Sequence, residues 1–130
     1  MRAKNEPASA GKPFIKWVGG KRQLLPEIER ALPGNFSDFD TYVEPFAGGG
    51  AVFFHLRQKY PDKRYVLNDY NTDLIDAYRT VRDTPQELIS LLREIKREYT
   101  SLPSREAREA CFLHQRERYN GDSLNRVERT

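Results

Sequence analysis

The residues of this chain best suited to chemistry surround three consecutive glycines, Gly48 to Gly50. A short β-rich run that ends at Glu44 comes before them, and residues 51–56 have helical character. A strand, a glycine turn and a helix start bring backbone close to nucleotide-like ligands. Because Glu44 puts a carboxylate where a phosphate favours a neutral or positive group, we expect a nucleoside with a positive charge or free hydroxyls. The alternative is that Glu44 is an ordinary carboxylate at a strand end.

A second acid, Asp69, follows the next β-rich run at residues 64–67 and lies 19 residues after Gly50. In dinucleotide-type folds an acid about 20 residues beyond the glycine turn hydrogen-bonds the ribose hydroxyls. Asp69 is therefore a candidate ribose ligand. The alternative is a turn-forming residue or the N-cap of a helix that begins near Asn71 or Thr72.

The single tryptophan, Trp17, lies beside two glycines and between Lys16 and Lys21. Paired glycines allow main-chain amides to face a ligand at a helix start. The lysines supply positive charge for a carboxylate or a phosphate backbone. The alternative is that Trp17 anchors the core and that both lysines are solvated.

Together these segments resemble the amino-terminal part of the Dam-type, D12 class adenine-specific DNA methyltransferases. The resemblance covers roughly residues 13–83, and the matching stretches are Lys16-Trp17-Val18-Gly19-Gly20-Lys21, Glu44-Pro45-Phe46-Ala47-Gly48-Gly49-Gly50 and Asn68-Asp69-Tyr70-Asn71-Thr72-Asp73-Leu74-Ile75. It implies S-adenosylmethionine as cofactor, bound by Trp17, Lys21, Glu44, Phe46, Gly48, Gly50 and Asp69. It also implies double-stranded DNA as the substrate, with Lys16 as a DNA contact.

The resemblance implies methyl transfer to the exocyclic amino group of a flipped adenine, for which the family uses an Asp-Pro-Pro-Tyr motif. None of the eight prolines of this chain is adjacent to another, so the motif is absent and we assign no catalytic residue. We expect the S-adenosylmethionine-binding part of a methyltransferase, inactive without a second segment. That segment is either a complementary methyltransferase chain or the missing C-terminal part of a truncated reading frame.

Two alternatives from other classes stay open. The first is a nucleotide-binding oxidoreductase fragment, which shares the glycine turn and the later acid. It does not need Trp17 between lysines, and Glu44 would lie unfavourably beside a pyrophosphate. The second is a non-catalytic module that binds DNA or a full-length methyltransferase.

Composition limits the class of protein. The chain has 130 residues, enough for one modest domain, and its formal charge of +3 and pI near 9.1 only weakly suggest nucleic acid. One cysteine, Cys111, excludes an internal disulfide and favours a cytoplasmic location. No apolar run is long enough to span a membrane. Neither His55 nor His114 has partners at metal-ligand spacing, so we expect no metal site.

Proline and glycine positions predict the elements that hold these residues. The fold class expected is α/β, a partial doubly wound (Rossmann-like) S-adenosylmethionine-dependent methyltransferase fold followed by helices. Its predicted parts are a flexible tail at 1–12, an S-adenosylmethionine-binding half-domain at 13–84, and a helical segment at 85–130 that begins the target-recognition region. Predicted helices lie near 22–32, 50–60, 72–82, 85–101 and 104–119, strands at 41–43 and 64–67, a loop at 36–40 and a turn at 120–123. Glutamates alternate with the arginines of the last helices, which favours a solvated mixed-charge surface over a DNA-binding face.

Overall fold

The structure is a computed structural model that describes residues 11–121, 124 and 126–130. Residues 1–10 of the predicted tail and residues 122–123 of the predicted turn lie outside this range. The described chain divides into two compact units, the first ending at Tyr70 and the second beginning at Asn71. Helices on both sides of residue 84 pack against each other within the second unit. The functional division at residue 84 stays a prediction.

The described part of the first unit contains two α-helices and two strands. A 3₁₀ turn, Lys21–Leu24, leads into helix α1, Leu25–Ala31, and Pro26 lies in the first turn of α1, where its missing N–H costs no hydrogen bond. The remaining elements are strand β1 (Thr41–Glu44), helix α2 (Ala51–Lys59) and strand β2 (Arg64–Leu67). The predicted helix at 22–32 is thus a 3₁₀ turn followed by a shorter α-helix.

The second unit is helical. Its helices are α3 (Thr72–Asp83), α4 (Pro85–Ser101), α5 (Arg105–Asn120) and α6 (Arg126–Arg129). Asn71 caps α3 by accepting the Leu74 amide at 3.0 Å, and Ser104 caps α5 by accepting the Ala107 amide at 3.2 Å. Apart from α1, each predicted helix begins within one residue and ends within two residues of its position in the structure.

Strands β1 and β2 pair in parallel, with Thr41 opposite Arg64 and Glu44 opposite Leu67. Helix α2 connects them, so the first unit holds a β-α-β unit. Parallel pairing brings the carboxyl ends of both strands together, and the Ala47 amide donates to the Asn68 carbonyl at 2.9 Å just beyond them. The described part of the chain is therefore mixed α/β with a small parallel sheet, in agreement with the predicted class.

The core of the first unit is formed by Phe36, Val52 and Leu56. Partly buried apolar and tyrosine side chains pack around it, namely Leu25, Ile28, Leu32, Tyr42, Tyr60 and Tyr65. Phe36 comes from the segment predicted as a loop, where residues Phe36–Asp38 form a 3₁₀ turn that directs the ring inward. This core fixes α2 against α1 and the strands, and thereby fixes the glycine turn that precedes α2.

Within the described ranges, no helix combines the length and the apolar character that a bilayer span requires.

Candidate functional site

The glycine turn joins β1 to α2 through left-handed backbone. Gly48 has φ 52° and Gly50 has φ 73°, a region that side-chain-bearing residues rarely adopt. Gly50 precedes α2 as its N-cap residue, and its amide donates to the Ala47 carbonyl at 2.9 Å. The tight reversal at the end of β1 therefore depends on glycine at these two positions.

Trp17 packs directly on this turn. A Cβ atom added to Gly48 would lie 3.4 Å from Trp17 Cδ1, and one added to Gly49 would lie 3.3 Å from Trp17 Cβ. The Trp17 side chain nevertheless stays 40% exposed and is no part of the core cluster. The structure thus places Trp17 beside a cavity rather than in the core.

Asp69 fastens the end of β2 to the glycine turn. Its Oδ2 accepts a hydrogen bond from the Gly48 amide at 2.9 Å. The helix cap at the start of α3 is supplied by Asn71, so the N-cap alternative for Asp69 does not hold. The carboxylate of Asp69 is therefore held beside the turn and not at the helix start.

Lys21 and Glu44 form an ion pair below the turn. Lys21 Nζ lies 3.2 Å from Glu44 Oε1 and also donates to the Phe46 carbonyl. The Glu44 side chain is only 4% exposed, whereas that of Lys21 is 36% exposed. The second carboxylate oxygen, Glu44 Oε2, is buried and has no hydrogen-bond partner among the described residues.

Burial dominates the electrostatics of Glu44. Loss of solvent raises its pKa, while the hydrogen bond and charge of Lys21 and the nearby amide of Phe53 oppose that rise. Burial also raises the pKa of Tyr42 on the same strand to about 12, helped by the charge of Glu44. Lys21 therefore partly offsets the effect of burial on this carboxylate.

A cavity of about 200 Å³, the glycine-turn cavity, lies above these residues. Its walls are Trp17, Val18, Gly19, Gly20, Lys21, Phe46, Ala47, Gly48, Gly49, Ala51 and Asp69. Of the predicted cofactor residues, the structure brings Trp17, Lys21, Phe46, Gly48 and Asp69 together here. Glu44 and Gly50 are absent from the wall: Glu44 pairs with Lys21, and Gly50 shapes the turn. Their direct contact with a cofactor stays a prediction.

A larger cavity of about 670 Å³, the cationic cavity, lies next to the first. Trp17 contributes to the walls of both, and Lys16 lines only this one. Lys12, Arg22 and His55 join Lys16 in the wall. The sequence motifs did not include these three residues. Lys12 lies before the first motif, Arg22 lies in the 3₁₀ turn, and His55 lies on α2. Their basic or imidazole character was the only available signal.

Comparison with known proteins gives a family and several relatives. A family model described as D12 class N6 adenine-specific DNA methyltransferase matches residues 17–130. The type II methyltransferase M.MjaIII of Methanocaldococcus jannaschii is 41% identical over 103 residues, which are 78% of this chain and 36% of that protein. Type II methyltransferase M1.LlaDCHI of Lactococcus lactis subsp. cremoris is 49% identical over 87 residues, 67% of this chain and 28% of that protein.

The DNA adenine methylase of Escherichia coli K12 is a further relative. It is 40% identical over 82 residues, which are 63% of this chain and 27% of that protein. The matched region thus spans only about a quarter to a third of the length of these relatives.

Proposed function

The chain belongs to the D12 class of N6 adenine-specific DNA methyltransferases, and from this premise we propose that it is the S-adenosylmethionine-binding portion of such an enzyme. The complete enzyme methylates the exocyclic amino group of adenine in double-stranded DNA. The β-α-β unit of residues 41–67 is then the first part of a doubly wound sheet. A second segment, in the same or another chain, carries the Asp-Pro-Pro-Tyr motif. We place the enzyme in the cytoplasm, where a single unpaired cysteine is common.

One observation carries this proposal: the Asp69 carboxylate is fixed to the Gly48 amide beside the half-exposed indole of Trp17. A carboxylate has about four lone-pair sites, and the Gly48 bond uses one of them. This bond orients the carboxylate at the cavity wall, where carboxylate oxygens are suitable acceptors for ribose hydroxyls. This arrangement matches the family's use of an acid at the end of the second strand.

The charges of the glycine-turn cavity also fit the cofactor. S-adenosylmethionine supplies, when bound, a methyl group on a positively charged sulfur. Lys21 is the only cation in the described wall, and Glu44 already pairs with it. The Asp69 carboxylate therefore faces a cavity in which positive charge is balanced, an environment that accommodates a cationic ligand.

The aromatic side chains of the wall can hold the adenine ring. Trp17 is 40% exposed and Phe46 is 72% exposed, and both line the same cavity. Flat aromatic faces bind heteroaromatic rings by stacking and by removing apolar surface from water. Lys21 and Glu44 support the backbone that carries Phe46. Lys21 bonds both the Phe46 carbonyl in the turn and the Glu44 carboxylate at the end of β1.

The size of the cavity supports our proposal that the described residues form only part of the cofactor site. Ligand pockets usually enclose about 300–1,000 Å³, whereas the glycine-turn cavity has about 200 Å³. The described residues therefore form part of the walls that a nucleoside of this size needs. In our proposal the remaining walls come from the segment with the Asp-Pro-Pro-Tyr motif. The oxidoreductase alternative is not favoured, since the family and the relatives are methyltransferases.

Calorimetry with S-adenosylmethionine tests the proposal on the chain and on Asp69→Asn. The substitution keeps the shape of the side chain and removes its charge. We expect affinity to fall about 10-fold or more, since a hydrogen bond to a charged group contributes about 1.5–3 kcal/mol.

The matched control is Asp62→Asn, an exposed acid in the turn before β2 that loses the same charge outside the cavity. We expect its affinity to equal that of the unmodified chain. An absence of heat with the unmodified chain, or equal affinities for Asp69→Asn and Asp62→Asn, would reject the assigned pocket.

A further inference from the structure

We propose that the cationic cavity binds a backbone phosphate of the duplex DNA substrate through Lys12, Lys16 and Arg22. This inference rests on the proposed function for the choice of DNA. It adds a phosphate-binding site, with Lys12 and Arg22 as its new members, to the single contact that family resemblance implies for Lys16.

The wall of this cavity carries unbalanced positive charge. Lys12, Lys16 and Arg22 are exposed there, and no aspartate or glutamate belongs to its described wall. Within the described residues, none of these three cations forms an ion pair. The neighbouring Lys21, by contrast, is paired with the buried Glu44. Three unpaired cations around one concave surface are suited to a phosphate anion.

The acid that contacts the wall residue His55 is already engaged. Glu29 Oε2 lies 3.1 Å from His55 Nε2, and Glu29 Oε1 contacts Lys59. Glu29 therefore has two basic partners of its own and offsets little of the positive charge of the cavity.

The segment that carries two of the cations is held on α2. Phe14 packs edge-on against Phe54, with ring centroids 6.5 Å apart. Gln58 Nε2 donates to the Gly11 carbonyl at 3.0 Å. These contacts lie on either side of Lys12 in the sequence and fix its backbone, and Lys16 follows two residues after Phe14. The cations are thus presented by an ordered segment, which lowers the entropic cost of binding.

Position and size favour a polymer backbone as the ligand. The cavity has about 670 Å³, larger than one phosphate needs, and it shares wall residues Trp17, Gly20, Gly49 and Ala51 with the glycine-turn cavity. A phosphodiester with its neighbouring sugars would lie beside the proposed cofactor site, where a DNA substrate has to approach. Duplex DNA carries one negative charge for about every 1.7 Å of helix axis, so adjacent phosphates reinforce the attraction.

The salt dependence of duplex binding tests this site directly. Anisotropy of a labelled duplex is measured with the 130-residue chain and its variants between about 50 and 200 mM salt. Each phosphate-neutralising cation contributes about 0.9 to the slope of log affinity against log salt. We expect Lys12→Gln and Arg22→Gln each to reduce the slope by nearly that amount, and Arg22→Lys to preserve it.

Arg64→Gln is the matched control. Arg64 is an exposed cation at the start of β2, at the opposite end of the strands from the glycine turn, and it lies outside the cavity wall. The Arg64→Gln substitution removes the same charge as Arg22→Gln and should leave the slope of log affinity against log salt unchanged. Equal reductions of the slope for Arg22→Gln and Arg64→Gln would indicate non-specific electrostatic attraction over the whole surface and would overturn the proposed site.

Three further measurements separate this inference from the proposed function. Calorimetry with S-adenosylmethionine should give unchanged affinity for Arg22→Gln. A chain that binds S-adenosylmethionine but no duplex would overturn the phosphate site and leave the cofactor site standing. Inorganic phosphate should compete only weakly; binding as tight as that of the duplex would overturn a polymer ligand. Tighter binding of duplex RNA with the same slope would overturn the assignment to DNA.

Discussion

At the scale of single residues, the pairing of Lys21 with Glu44 decides the charge of the glycine-turn cavity. A buried carboxylate without a partner is costly, and Glu44 has one oxygen on Lys21 and one without a described hydrogen bond. Lys21 also holds the Phe46 carbonyl. A lysine in this position therefore stabilises the turn before any ligand arrives.

Replacing Glu44 by glutamine is expected to change how stability depends on pH. Burial raises the pKa of Glu44 in the folded chain, so the folded state holds this proton more tightly than the unfolded chain does. The contribution of Glu44 to stability is then greatest below the unfolded pKa and falls as pH rises through the folded pKa. The side chain of the Glu44→Gln variant cannot ionise, so the variant should not lose stability in this way as pH rises.

Urea unfolding between about pH 4 and pH 8 measures the difference. The unmodified chain should lose stability relative to Glu44→Gln as pH rises. Glu27→Gln, which removes an exposed acid paired with Arg30, should follow the unmodified chain. A constant difference between Glu44→Gln and the unmodified chain across this range would contradict a raised pKa.

At the scale of elements, the turn between β1 and α2 positions the whole site. Gly48→Ala is expected to destabilise the chain by about 1–2 kcal/mol, the usual cost of left-handed backbone for a residue with a Cβ. The new methyl group would also lie in van der Waals contact with Trp17 Cδ1, at 3.4 Å. The strain in the turn should weaken S-adenosylmethionine binding along with stability.

Gly34→Ala provides the comparison for this turn. Gly34 lacks a positive φ, and no heavy atom lies within 4 Å of its added Cβ. Its effect on the free energy of unfolding should stay within about 0.5 kcal/mol. Urea unfolding and calorimetry of both variants measure this difference. Equal losses in the free energy of unfolding for Gly34→Ala and Gly48→Ala would show that a side chain at residue 48 does not strain the turn.

Local patterns explain why most elements could be predicted. Helix α4 follows from leucines at helical spacing between Pro85 and Pro103, and both strands follow from short β-rich runs. The 3₁₀ turn before α1 was not predicted, because its hydrogen bonds differ from those of an α-helix while its sequence does not.

Contacts distant in sequence explain what the patterns could not give. Lys21 and Glu44 are 23 residues apart, and His55 and Glu29 are 26 residues apart. No spacing rule relates such pairs, because the parallel strands and packed helices bring them together. The motifs therefore predicted the glycine-turn cavity from Trp17, Gly48 and Asp69, but they gave neither the ion pair nor the cationic cavity.

At the scale of the whole molecule, the described residues form the glycine-turn cavity and only two strands. Val43 on β1 is 56% exposed, although valine favours buried sheet positions. A parallel sheet is normally covered on both faces and extended at its edges. The exposed valine therefore agrees with our proposal that further polypeptide completes this sheet.

Cofactor binding and methyl transfer are separable functions of this protein in our proposal. The 130-residue chain alone should bind S-adenosylmethionine yet transfer no tritiated methyl group to duplex DNA. Methyl transfer to an amino group needs an acceptor that orients it in line with the sulfur, and the sequence has no adjacent prolines to fix such a carbonyl. The DNA adenine methylase of Escherichia coli, assayed in parallel on the same duplex, shows that the assay detects transfer. Methylation of the duplex by the chain alone would show that residues within these 130 orient the adenine without an Asp-Pro-Pro-Tyr motif.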